Sequence, residues 1–337
     1  MRFLDHCKPG TLLFVPPETA PTGAPRLAYR AARQDSQESI VWKDRDRLVA
    51  LAVWNHASYN AAAELWEHGI DLALMKGARI GALLRPAYGP SCQQLGLRIV
   101  QHRRYDDSTW CLAHTRELVA TKGRNQMQVL RRCCRGEAVN RLRSDLKAIG
   151  PKTDITAMRG LEGILARTYF SAWPGILDVP TFSRQPRTAC DGLNLLLDLG
   201  YARLTQLLSL ALLEVGADLG LGALHVTDGS RPTLALDLME PFRPIVVDRF
   251  VWSCWETPGR DRWFEPPPAS GGRWNLSPLG RREITQRWRT WIHGNSRRSG
   301  WIDPICRLVS RWSTSLRTVG YAPIRWPGPH DALPGID

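Results

Sequence analysis

The chain has 337 residues, 43% hydrophobic and 23% charged, the composition of an ordinary globular protein with length for about two domains. Its net charge of +13 is not ordinary and implies a polyanionic partner, nucleic acid before an anionic membrane surface. The longest apolar stretch, 204–226, is broken by Glu214 and Asp218, so no membrane span is expected. The first residues lack the apolar run of a signal peptide, and the eight cysteines contain no Cys-x-x-Cys, which together suggest a reduced cytoplasm.

In chain order, residues 1 to about 88 read as a small β-rich domain. Short β-branched or aromatic runs bounded by turn residues predict strands at 11–15, 26–33, 39–42, 48–54, 70–75 and 79–84. One helix interrupts them, with Ser58 as a plausible N-cap, the Ala61-Ala-Ala-Glu-Leu run in its body and Gly69 as C-cap. Pro86 to Pro90 reads as a linker.

Beyond it, residues 92–320 read as a larger all-α domain, and 321–337 as an irregular tail; the fold class is α+β. Thr109 to Ile149 predicts helix with a break at Gly123 or Gly136. From Arg103 to Lys147 there are 11 basic against 5 acidic residues, either a solvated face or a phosphate-contacting one. Cys111-x-x-His114 with Cys133 and Cys134 could offer four zinc ligands. The second pair lacks the usual ligand spacing, so small buried residues on basic helices are expected instead.

Helices are predicted at 160–173 and, as a central buried element apolar almost all round, from Asp191 towards Val215. A Gly-rich turn leads to His225, and a further helix is expected to start near Asp237 to Pro241. Basic helices return at 281–312, with 8 basic against 2 acidic residues. Five of the 14 tryptophans fall between Trp252 and Trp288. Interleaved with arginine they could stack on unpaired bases, but packing is the favoured reading.

The chemistry concentrates in Leu234-Ala-Leu-Asp237-Leu-Met-Glu240-Pro-Phe-Arg243-Pro. Asp237 and Glu240 are three apart and would share one face of a helix. Asp-x-x-Glu is equally the capping box of a helix start, and Pro241 suits a first turn, so ligand pair and cap stand level. His225 upstream and Glu162 after Arg159 could complete a set of oxygen donors with one imidazole. That set suits Mn²⁺ or Mg²⁺ better than a structural Zn²⁺.

The chain resembles the CRISPR-associated integrase, the core nuclease of the spacer-acquisition complex, over about residues 10–320. The resemblance lies in Leu161-Glu162-Gly163 with Ala166-Arg167 and Tyr169-Phe170; Asp191-x-x-Asn194 with Gly200-Tyr201; Gly220-Leu-Gly-Ala-Leu-His225; and Arg231-Pro-x-Leu-Ala-Leu-Asp237-Leu-Met-Glu240-Pro-Phe-Arg243-Pro. Leu118-Val-Ala-x-Lys122 and Asn125-Gln126 resemble the family's first long helix. The resemblance implies that Glu162, His225 and Glu240 ligate Mg²⁺ or Mn²⁺, with Asp237 beside them as a catalytic or supporting carboxylate. It implies joining of the 3′-hydroxyl ends of short DNA fragments to a repeat array by transesterification, without a covalent enzyme intermediate. It also implies a homodimer through the β-rich domain and a small ferredoxin-like partner protein. A nuclease acting on branched or single-stranded DNA, a mobile-element integrase of the same fold, and a catalytically silent DNA-binding scaffold are the other readings of the same residues.

Overall fold

The computed structural model describes residues 2–4, 10–15, 26–31, 37–40, 48–51, 55–57, 59–67, 69–76, 79–85, 94–133, 136–150, 152–226, 229, 231–295, 298–318, 324 and 326. It has a small N-terminal β-rich part and a larger α-helical part. The chain divides into two compact units, one of Met1–Ile99 with Ser209–Asp218, the other of Val100–Leu208 with Leu219–Asp337.

The first unit holds two four-stranded sheets. One runs β4 (Gln37–Ile40), β3 (Arg26–Ala31), β2 (Gly10–Val15), β6 (Asn55–Ala57), with β3 antiparallel to both neighbours. The other runs β1 (Arg2–Leu4), β5 (Leu48–Leu51), β7 (Asp71–Lys76), β8 (Arg79–Leu84), where β7 and β8 form an antiparallel pair bulged at Leu74/Met75. The six predicted strands are all present. β1 and β6 were not anticipated, because three residues carry too little alternation to be read.

α1 (Tyr59–Glu67) ends at Gly69, whose φ of +67° is the left-handed conformation expected of a C-cap. Ser58, the expected N-cap, and the 86–90 linker lie outside the described residues. The last carbonyls of the segment Ser209–Asp218 are met by side chains of the same unit. Arg85 donates to Leu213 O at 3.1 Å, Gln94 to Glu214 O at 3.1 Å and Arg98 to Gly216 O at 3.0 Å. All three donors satisfy orphan carbonyls, and the two arginines also complement the helix dipole.

The second unit begins with α2 (Leu95–Asp106), part of which belongs to the first. A three-helix cluster follows: α3 (Ser108–Arg132), α4 (Gly136–Lys147) and α5 (Ile155–Phe170). Asp107 and Asp154 cap α3 and α5 through Thr109 N (2.9 Å) and Ala157 N (2.8 Å), which is why α5 starts a turn earlier than predicted. The break falls before Gly136, while Gly123 lies inside α3. A Cβ there would meet Leu146 Cδ2 of α4 at 2.6 Å, so this glycine gives α4 its close approach.

The zinc reading fails on the same helix. Cys111 and Cys133 are separated by about 33 Å of helical rise, at 1.5 Å per residue, and cannot share an ion. His114 is fully buried, stacked 4.8 Å from Trp110, and burial pushes its pKa down to about 3. It is a neutral core histidine. Cys134 lies outside the described residues.

After α6 (Trp173–Leu177), α7 (Gly192–Glu214) is the expected central helix. It is long and apolar enough by composition to cross a membrane, but most of its apolar stretch is buried against protein. α8 spans Thr233–Met239, and the chain then turns through Pro241 into a π-helical stretch, Arg243–Asp248, and α9 (Arg249–Trp255). The predicted helix start near Asp237 is therefore corrected: α8 begins at Thr233 and ends at Met239, with Asp237 in its last turn. Pro241 and Pro244 have no N–H to give, so α-helical bonding cannot run through, and a widened turn carries the chain past them.

α10 (Pro278–His293) and α11 (Ile302–Ser315) complete the unit. Trp263, Trp288, Trp301 and Trp312 are buried, and Phe250 meets Trp288 edge-on at 5.0 Å. Arg287 lies 5.1 Å from the Trp263 ring and Arg260 4.5 Å from Trp255. The tryptophan-rich region is thus mainly core and arginine-covered rim.

Candidate functional site

Three stretches distant in sequence deliver one charged cluster inside the helical unit. α3 contributes Lys122, α5 contributes Glu162, and the segment from His225 through α8 to Arg243 contributes the rest. The helix packing holds them in register. Asn125 on α3 donates to Pro241 O at 2.7 Å, Arg159 on α5 donates to Leu224 O, and Thr233 donates to Gly220 O at 2.6 Å. The turn before α8 and the turn after it are therefore each tied down by side chains.

Asp237 is fully buried and uses both oxygens. Oδ2 accepts from Ala223 N (2.5 Å) and Leu224 N (2.9 Å), and Oδ1 accepts from His225 N (2.9 Å). His225 Nδ1 lies 2.7 Å from the same Oδ1. A carboxylate only accepts, so Nδ1 carries the proton, and Nε2 is the ring nitrogen left to face a ligand. That Nε2 is 3.8 Å from Glu240 Oε1. Of the two readings, the helix-start cap is the one the structure removes. Asp237 sits near the C-terminal end of α8, so it cannot cap that helix; it caps the 223–225 turn and orients the imidazole.

Glu240 is 2% exposed and closes α8. Its Oε2 is 2.6 Å from Lys122 Nζ and its Oε1 3.1 Å from Arg243 Nη2. Lys122 Nζ also pairs with Glu162 Oε1. Burial raises the Glu240 pKa, but Arg243, Lys122 and His225 outweigh it and hold the group down at about 2. Burial opposes the charge on Lys122, and Glu162 and Glu240 more than restore it.

All four predicted residues, Glu162, His225, Asp237 and Glu240, are thus brought together. Among the described residues no three or more His, Cys, Asp or Glu side chains stand in the arrangement of a formed metal cluster. The reason is visible: the Lys122 ammonium sits between the two glutamates. The donor chemistry nevertheless fits a hard divalent ion, with two carboxylates, one imidazole and a carboxylate behind that imidazole.

A second layer supports Arg243. Its guanidinium lies 4.9 Å from the Tyr201 ring, and Tyr201 Oη donates to Asp248 Oδ1 at 2.6 Å. Burial pushes Asp248 up to about 7, against the pull of its Tyr201 and Tyr169 hydrogen bonds. From the usual 3.8 up to about 7, folded Asp248 keeps a proton that the unfolded chain has lost. Its stabilising contribution is complete below about 4 and is lost as pH rises through 7. Asp248→Asn is therefore expected to flatten the fall in unfolding free energy between pH 4.5 and 8, measured by urea titration. Parallel wild-type and variant profiles would contradict this.

Residues 27–290 match the sequence profile of CRISPR associated protein Cas1. The chain belongs to the Cas1 family. A Cas1 endonuclease of Moorella thermoacetica is 34% identical over 213 residues, which span 58% of this chain and 62% of that protein. The chain thus matches less than two thirds of the length of that curated relative. Among solved structures, a chain of a partial Cas6-RT-Cas1–Cas2 complex superposes with a TM-score of 0.69 at 18% identity, covering 94% of each chain. A casposase bound to its integration product gives 0.65 at 18% identity, covering 95% of this chain and 91% of that one. At such identities the likeness shows the shared fold.

The partners of the Cas1 carboxylates were not foreseen as such. Lys122 and Arg243 were legible only as parts of motifs. Lys122, Asn125 and Gln126 are polar residues at helical spacing on the buried face of α3, a signal that could have marked them as partners of something inside.

Proposed function

We propose that this Cas1-family chain is a metal-dependent DNA integrase and endonuclease of CRISPR adaptation, which joins the 3′-hydroxyl ends of short DNA fragments to a repeat array by transesterification. The observation that carries the reading is the convergence of Glu162, His225 and Glu240 from separate stretches, with the imidazole oriented by Asp237.

Glu162, His225 Nε2 and Glu240 would hold one Mg²⁺ or Mn²⁺ ion. When bound, such an ion lowers the pKa of an attacking hydroxyl and stabilises charge on the scissile phosphate. Asp237 keeps Nδ1 protonated so that Nε2 remains a donor of its lone pair. Arg243, fixed on Glu240 and over Tyr201, adds positive charge for a phosphate without needing to reorganise. A direct displacement requires no Ser or Cys nucleophile.

The exposed arginines of α3, α4 and α10, among them Arg131, Arg132, Arg141, Arg143, Arg281 and Arg282, suit duplex phosphates. Binding to duplex DNA is expected to weaken with a log–log salt slope of about −0.9 per phosphate contact, so a slope of several units should appear in a salt titration. A slope near zero would remove the electrostatic surface.

The other working parts follow from the family: a homodimer through the β-rich domain, a small ferredoxin-like partner and a cytoplasmic setting. A solved neighbour belongs to a complex that contains Cas2, which supports the partner assignment. The casposase neighbour favours, as a second reading, a mobile-element integrase of the same fold. A supercoiled plasmid carrying a repeat array, incubated with a short labelled duplex and the purified chain with its small partner, tests the proposal. Label joined at the repeat is expected. Joining without regard to the repeat favours the mobile-element reading, and nicking without joined label favours a plain nuclease.

A further inference from the structure

Lys122 is an unusual occupant of a site proposed to hold a metal. Its side chain is 4% exposed, and its ammonium is clasped by Glu162 and by Glu240 Oε2. These are oxygens that a divalent ion would also need. A buried ammonium is tolerated only while its partners compensate it. A divalent cation and the ammonium cannot share the same pair of oxygens, because two cations at contact distance repel strongly. Arg243 touches Glu240 alone, at Oε1 (3.1 Å), the oxygen that faces His225 Nε2, whereas Lys122 touches both glutamates. Glu162 has a side chain one quarter exposed, so the cluster has an open side towards which a flexible lysine can withdraw.

We infer that Lys122 is the resident cation of the site, that a divalent ion enters by displacing it from Glu162 and Glu240, and that this exchange sets how weakly the site holds its metal. The inference rests on the metal-centre reading of the preceding subsection. The residue is neutralising when the site is empty and becomes a mobile positive charge at its rim when the site is filled. An internal competitor of this kind lowers metal affinity without altering a single ligand.

Mn²⁺ binding to chelator-stripped protein can be followed by the loss of the free-ion electron paramagnetic resonance signal. Lys122→Met is expected to bind Mn²⁺ at least about tenfold more tightly than the wild type, since one opposing charge is gone. Equal or weaker binding by the folded variant overturns the inference. Lys122→Met leaves two carboxylates facing each other, so a second measurement uses the wild type alone. Acetylation of Lys122 by acetic anhydride, quantified by mass spectrometry against Lys147, should be faster in Mn²⁺ than in chelator, because the displaced amine has lost its carboxylates. Unchanged or slower acetylation overturns the inference. Wild-type protein with no Mn²⁺ binding that Glu162→Gln removes would instead sink the metal-centre reading itself, and the two failures are thereby told apart.

Discussion

Alanine at Glu162 or His225, or glutamine at Glu240, is expected to lower strand joining by at least about a thousandfold while leaving duplex DNA affinity nearly unchanged. The three positions belong to one functional unit, so a double replacement should cost little more than a single one. Glutamine is the better probe at 240. Alanine there would strip Lys122 and Arg243 of a shared buried counter-ion, and breaking such a pairing costs about 3–5 kcal/mol of stability. Asp237 should behave differently from the other three. Its oxygens hold three backbone amides and the imidazole, so Asp237→Ala should lose fold stability together with activity. Normal joining by any of the first three variants would remove that residue from the site.

Removal of divalent metal is the second large effect. Chelation should stop joining completely, and Mn²⁺ or Mg²⁺ should restore it. A ligand that binds only the folded state also raises its stability. Mn²⁺ should therefore raise the melting temperature of the wild type and fail to raise that of Glu162→Gln, a readout independent of DNA. Rescue by Zn²⁺ alone would contradict the assignment, because hard carboxylate donors with one imidazole are not the set that zinc prefers in structural sites.

Much of this is legible in the sequence. Periodicity and turn residues placed the six longer strands and the change to helix, because those signals are local. The four residues that converge, Glu162, His225, Asp237 and Glu240, were legible as an ordered set of motifs, though their role as a metal site remains a proposal. Elements set by tertiary contacts were not legible. Gly123 looked like a helix breaker, yet Leu146 on α4 uses the space it leaves. Asp237-x-x-Glu240 looked like a possible helix start, yet the proline after it closes a helix that begins at Thr233, without a side-chain cap. The cysteines and His114 suggested zinc only while their distance along one helix was unknown. The Lys122 bridge was the least legible feature, since it joins residues 40 and 118 positions apart.

The most direct test of the metal site is anomalous scattering from crystals of the chain grown with Mn²⁺. The expected result is a single strong peak within coordination distance of Glu162, His225 Nε2 and Glu240, with Lys122 Nζ moved out of the space between the glutamates. Crystals saturated with Mn²⁺ that show no peak there, with Lys122 still clasped by both carboxylates, would contradict the account.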